Sequence, residues 1–309
     1  MKSLAQAALL LAALSGAVYS ETTTAFPEVV SVFSRVAWEG RIESLARCTG
    51  TYIHPRLLLT AAHCVRQFNG RILNGRYYRF EDMAGHFVPD LTAAPGDVFI
   101  PKEVWYGIKE VHPVRVHVSN AAIPIEGGKT ISLSYVEQDL AILEFDFDAK
   151  VRPRKIAERA PTAGLPVTLV GFGPRWGARK GEREFGSVLP IKHTGTNTLR
   201  ALEQGELLVV VGSPKSCSDA DQVAAGDWAL CGGDSGGPLL DARTGELIGV
   251  ASSSGLRTNN PEIGPGEREV SIFIDLTSAR AAEFIQRVLA NVGKDLPPPV
   301  PTKKGRRGD

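Results

Sequence analysis

One serine sits in a setting that ordinary loops rarely offer. Ser235 lies within Gly232-Gly233-Asp234-Ser235-Gly236-Gly237-Pro238. Glycines on both sides let the backbone adopt conformations closed to other residues, so neighbouring amides can turn toward one point. A hydroxyl placed there suits nucleophilic acyl transfer. That chemistry needs a base beside the hydroxyl, a group that fixes the base, and donors for the developing oxyanion. The backbone N–H groups of Gly233 and Ser235 are the candidate donors. Six histidines compete as the base: His54, His63, His86, His112, His117 and His193. His63 stands apart because it lies in Leu59-Thr60-Ala61-Ala62-His63-Cys64, with one cysteine beside it and Cys48 upstream. Asp139 heads the run Asp139-Leu140-Ala141-Ile142-Leu143, a carboxylate at a strand start. Turns favour aspartate, so alone it says little. Between His63 and Ser235 it becomes the third member of a His–Asp–Ser set. His112 and His117 have no third ligand nearby and read as surface histidines. No metal and no cofactor is expected.

These side chains must be positioned by strands. Short apolar runs at 29–33, 57–59, 140–143, 167–170, 207–211, 247–250 and 270–274 have strand length, with Gly, Pro and Asn between them. That pattern predicts an all-β sandwich or barrel architecture. The one persuasive helix covers 279–289, where Ala281, Phe284, Ile285, Val288 and Leu289 recur at helical spacing behind Thr277 or Ser278 as N-cap. Residues 174–186 are basic and glycine-rich and read as an exposed loop. The Pro-rich, then charged, tail over 294–309 reads as disordered.

Composition narrows the setting. The chain has 309 residues, 43% hydrophobic and 22% charged, with net charge +1. This excludes a disordered chain and gives no reason to expect nucleic-acid capture. Lys2 followed by an apolar run over 4–14 and small residues at Ser15, Gly16 and Ala17 reads as a signal peptide over 1–17. The run is too short for a membrane anchor. Four cysteines, Cys48, Cys64, Cys217 and Cys231, with no Cys-x-x-Cys pair, favour two disulfides in an exported chain over zinc or thiol chemistry. The expectation is a protein that is extracellular or periplasmic.

Together these motifs resemble the chymotrypsin–trypsin family of serine peptidases, and its secreted bacterial-type members in particular. The order histidine, aspartate, serine is that family's and differs from subtilisins and α/β-hydrolases. Cys48-Thr49-Gly50-Thr51-Tyr52-Ile53 resembles its Cys-Gly-Gly strand, and Val170-Gly171-Phe172-Gly173 its Gly-Trp-Gly turn. The stretches 247–254 and 272–289 resemble its closing strands and C-terminal helix. The resemblance implies two six-stranded antiparallel β-barrels over 18–293, with the site in the cleft between them. It implies an endopeptidase acting through an acyl-enzyme, with polypeptide substrates and no partner needed beyond a monomer. His63 is then the base, Asp139 its orienting group and Ser235 the nucleophile, over an oxyanion hole of Gly233 and Ser235. A Cys48–Cys64 bridge would hold the imidazole in place.

Four departures from the family qualify this. The 76 residues from His63 to Asp139 imply inserted loops between 70 and 130. No cysteine follows Cys231, so a Cys217–Cys231 bridge is predicted. Ala229 stands where trypsin-like members carry aspartate, and Asp227 is two residues too early. With Ser252, Ser253, Ser254 and Ser271 as the other pocket residues, cleavage after Arg or Lys is not expected. Asp234 is the residue that pairs with a new N-terminal amine in the family, yet no Arg-Ile-Val-Gly-Gly start occurs. Signal cleavage after Ala17 would offer the Val18 amine instead; cleavage after Ser20 is the alternative. Two competing functions share this scaffold: a catalytically dead binding module, and an esterase or amidase using the same residues.

Overall fold

The computed structural model describes residues 21–22, 25–38, 41–65, 77–79, 110–111, 115–119, 122–123, 136–173, 192–203, 206–218, 222–258 and 266–294. The segment expected as a signal peptide, Val18, the expected loop at 174–186, most of the expected insertion and the tail beyond 294 lie outside the described residues.

Among the described residues, sixteen strands run in chain order. They are β1 (Glu21–Thr22), β2 (Val29–Trp38), β3 (Arg41–His54), β4 (Leu57–Thr60), β5 (Tyr77–Arg79), β6 (Glu110–Val111), β7 (Arg115–Val118), β8 (Ala122–Ile123) and β9 (Val136–Glu137). After these come β10 (Ala141–Glu144), β11 (Pro166–Gly171), β12 (His193–Glu203), β13 (Leu207–Gly212), β14 (Pro238–Asp241), β15 (Leu247–Thr258) and β16 (Arg268–Asp275). The first sheet has the order β6-β5-β2-β3-β4-β10-β7. The second runs β1-β12-β11-β14-β15-β16-β13 and closes through β12–β13, giving a six-stranded barrel with β1 on its rim. Every ladder pairing in the two is antiparallel. The fold is all-β, with a closed barrel, a second sheet and a C-terminal helix. Among the described strands the first sheet stays open, so strand pairing closes one of the two expected barrels.

The apolar runs lack polar alternation because both faces of these strands are buried. Successive side chains point to opposite faces. Leu57 and Leu59 join one apolar cluster and Leu58 another; Leu140 and Ile142 divide from Ala141 and Leu143 in the same way. In the second barrel Val209 and Val211 face outward to the first cluster, while Leu208 and Val210 fill the interior. The first cluster therefore joins both sheets. It also takes Ala281, Phe284, Ile285 and Val288 from helix α1 (Ala279–Leu289). Ser278 caps α1, its hydroxyl accepting from Ala281 N at 3.4 Å. Leu289, expected on the buried stripe, is exposed, because it is the last helical residue and falls at the stripe's margin.

Candidate active site

Register alone brings the aspartate to the histidine. β10 pairs with β4 so that Ala141 faces Thr60. Asp139, two residues before Ala141, therefore lies alongside the short 3-10 turn Ala62–Cys64 that follows β4. Asp139 Oδ2 accepts from His63 Nδ1 at 2.7 Å, and Oδ1 accepts from the His63 backbone N–H at 2.8 Å. The carboxylate thus fixes both the ring and the main chain of one residue. The Nδ1 bond leaves Nε2 as the ring nitrogen open to proton exchange.

Ser252 adds a third donor, its Oγ lying 2.7 Å from Asp139 Oδ2. The sequence placed Ser252 in a pocket wall; the structure turns its hydroxyl to the carboxylate. Burial raises the Asp139 pKa, but the bonds and charge of His63 and the Ser252 bond outweigh it, and the carboxyl sits below its usual 3.8. Burial likewise pulls His63 down, and the Asp139 hydrogen bond and charge overcome it, holding the imidazole above 6.5. Each partner stabilises the charged form of the other.

The glycine-rich turn is anchored from several sides. Thr49 N donates to Ser235 O at 2.7 Å, Gly236 N to Ala251 O at 2.7 Å, and Asp234 N to Cys231 O at 2.9 Å. That last bond closes a four-residue turn whose third residue, Gly233, has φ 105°. A turn of this kind demands the left-handed region there, which glycine reaches without steric cost. Asp234 is buried, its Oδ1 accepting from Gly173 N at 2.7 Å and Oδ2 from Cys231 N at 2.8 Å. A Cβ on Gly171 or Gly173 would overlap this carboxylate, so glycines line it. Its expected partner, the Val18 amine, lies outside the described residues.

Disulfides tie these pieces to the sheets: Cys48 joins Cys64, and Cys217 joins Cys231. The first connects β3 to the turn carrying His63; the second connects the 3-10 turn Pro214–Cys217 to the residue that clasps Asp234. Among the described residues, Cys48, His63 and Cys64 bring their side-chain donor atoms within 4.8 Å of one another. Both sulfurs are spent in the disulfide, so this is no thiolate site for a metal.

The remaining residues expected to line a pocket separate. Ser253 and Ser254 are exposed, whereas Ala229 and Ser271 have no accessible surface. Ala229 N donates to Ser216 Oγ and Leu230 N to Ser271 Oγ, each at 2.9 Å. Asp227 pairs with Arg268. No local pattern announces that partner, since the two residues are 41 apart.

A sequence profile of the trypsin-like peptidase domain matches residues 48–250, which span His63, Asp139 and Ser235. The chain belongs to the trypsin-like peptidase family. It is similar to human kallikrein-2, with 26% identity over 219 residues, covering 67% of this chain and 69% of that protein. Among solved structures it resembles neuropsin, a serine protease of mouse brain, at 15% identity and TM-score 0.51, covering 88% of this chain and 98% of that one. It also resembles a mutant of human heparin binding protein, at 18% identity and TM-score 0.51, covering 90% and 98%. Those two likenesses bear on the fold alone. As a member of the trypsin-like peptidases the protein is a serine endopeptidase, a hydrolase acting on polypeptides. No described helix is long and apolar enough to cross a membrane.

Proposed function

We propose that this chain is a secreted endopeptidase in which Ser235 is the nucleophile, His63 the general base and acid, and Asp139 the group that orients His63. The observation that carries this reading is the double grip of Asp139 on the ring and backbone of His63, at 2.7 and 2.8 Å. Neutral His63 takes the Ser235 proton through Nε2 as Oγ attacks the scissile carbonyl. The imidazolium so formed is stabilised by ionised Asp139 and then protonates the leaving amine. Water, activated by the same nitrogen, hydrolyses the acyl-enzyme. The N–H groups of Gly233 and Ser235 stabilise the tetrahedral oxyanion.

The peptidase domain is assigned to 18–293, after a signal peptide over 1–17 and before a tail over 294–309. Two disulfides fit an oxidising compartment outside the cytoplasm. Cleavage after side chains other than Arg or Lys is supported by Ala229 and by Asp227, whose carboxylate is already engaged by Arg268. A charge so paired has little left to attract a basic substrate side chain.

The test is a fluorophosphonate probe with peptide mapping, followed by casein digestion and a peptide library. Labelling on Ser235, loss of both activities in Ser235→Ala, and cleavage mainly after uncharged residues are expected. A Ser235→Ala protein that still digests casein overturns the assignment of the nucleophile.

A further inference from the structure

Within the stretch that resembles the family's Cys-Gly-Gly strand, position 49 holds threonine where the first glycine would stand. The structure gives that threonine a use. Thr49 has no accessible surface, and all its polar groups are engaged. Its N–H donates to Ser235 O at 2.7 Å. Its Oγ1 donates to Gly233 O at 2.9 Å and accepts from Phe172 N at 3.1 Å. Its carbonyl accepts from Thr60 Oγ1 at 2.8 Å. The hydroxyl therefore joins three pieces that come from different parts of the fold: β3 of the first sheet, the end of β11 in the second barrel, and the turn before Ser235.

We propose that the Thr49 hydroxyl is a positioning group for the oxyanion hole, holding Gly233 in the geometry from which its N–H meets the transition state. The inference rests on Ser235 being the nucleophile. Its physical basis lies in the Gly233–Asp234 peptide. On one side the carbonyl of this peptide is held by Thr49 Oγ1; on the other its N–H is held by Cys231 O at 2.9 Å. Gly233 has φ 105°, a conformation glycine leaves as easily as it enters. Fixing the peptide that follows fixes one pivot of that flexible residue, and Thr49 N fixes the next carbonyl, that of Ser235. A donor displaced by a fraction of an ångström still binds substrate but stabilises the transition state less. The neighbouring amides of Phe172 and Gly173 share the task, since the first bonds Thr49 and the second bonds Asp234 Oδ1 at 2.7 Å. Without the hydroxyl, the Gly233 carbonyl and the Phe172 N–H are both left buried without that partner, and the turn relaxes to satisfy them.

The test compares Thr49→Val, which keeps the shape, with Thr49→Ser, which keeps the hydroxyl. Steady-state cleavage of a peptide amide is measured well below each variant's melting temperature. Thr49→Val is expected to lose about ten- to a hundredfold in kcat, with KM within about twofold, because ground-state binding does not use the hole. Thr49→Ser is expected to restore kcat to within about threefold of the parent. The acid limb of the pH profile should stay in place in both, since His63 and Asp139 are untouched. Unchanged kcat in Thr49→Val overturns the proposal. So does an equal loss in Thr49→Ser, which would show that keeping the hydroxyl does not preserve the hole. Should Thr49→Val fail to fold, Thr49→Ala takes its place under the same criteria. Fluorophosphonate mapping of the parent keeps the two readings separate. If the probe misses Ser235, the nucleophile assignment fails, whatever position 49 shows; if it finds Ser235, only the kcat series bears on Thr49.

Discussion

Asp139 acts through geometry and charge at once, and these can be separated. In Asp139→Asn the side chain keeps its size and loses its charge. The amide holds His63 in the wrong tautomer for half of its orientations and no longer stabilises imidazolium. A fall in kcat of about 10³–10⁴-fold is expected. The pH profile supplies the sign. The His63 pKa is raised above 6.5 because the Asp139 bond and charge outweigh burial, and the proposed role as general base requires the neutral ring. The parent should therefore lose kcat/KM as pH falls through a value above 6.5, and Asp139→Asn should move that limb to lower pH, where burial acts alone. Ser252→Ala is the milder counterpart. It removes one donor from a carboxylate that keeps its two bonds to His63, so a loss of about tenfold in kcat is expected with the limb moved little. A Ser252→Ala enzyme that instead changed its substrate preference at full kcat would return Ser252 to the pocket wall.

At the scale of elements, two covalent ties hold the loops that no ladder holds. The Cys48–Cys64 bridge spans 16 residues and Cys217–Cys231 spans 14. Chain-entropy arguments give each about 3 kcal/mol through the unfolded state. Replacing Cys48 and Cys64 together by serine should lower the stability measured in urea by about that amount. Activity should fall further than stability does, because the bridge also places the turn carrying His63. The elements themselves were legible in the sequence for a physical reason. Each apolar run is a strand buried on both faces, so Leu57-Leu58-Leu59 or Leu207 to Val211 stands out as continuous hydrophobicity between turn residues. The candidate site residues stood out because glycine, histidine and cysteine are unusual in those contexts. What escaped notice was carried by pairings across long stretches of chain. Ser252 meets Asp139 across 113 residues and Thr49 meets Gly233 across 184, and no local pattern announces either. Serine and threonine are ordinary strand residues, and only the register of two sheets gives these hydroxyls a partner.

Across the whole molecule, the two sheets meet on one shared apolar cluster, and a few polar ties fasten the N-terminal segment over that seam. Lys192, just before β12, donates to Phe26 O at 2.7 Å and to Ala25 O at 3.3 Å. Phe26 has φ 60°, a left-handed conformation unusual for a bulky residue, so the lysine holds a strained turn. Glu28 in the same turn pairs with Arg154, which also reaches Gly245 O at 3.1 Å. Lys192 is buried, and that burial, only partly offset by the charge of Glu28, lowers its pKa from 10.5 to about 8. Between those two values the unfolded chain keeps a proton that the folded chain has lost, so this group makes stability rise with pH across the window. Below about 8 both states are protonated and the contribution is flat. Lys192→Met removes the titration and the two bonds to the turn. Urea unfolding of parent and variant from pH 7 to 10.5 should show a gap that widens as pH rises past about 8. A gap that narrows over that range would mean that the ammonium, rather than the amine, is the form that holds the turn, and that the carbonyls of Ala25 and Phe26 outweigh its burial.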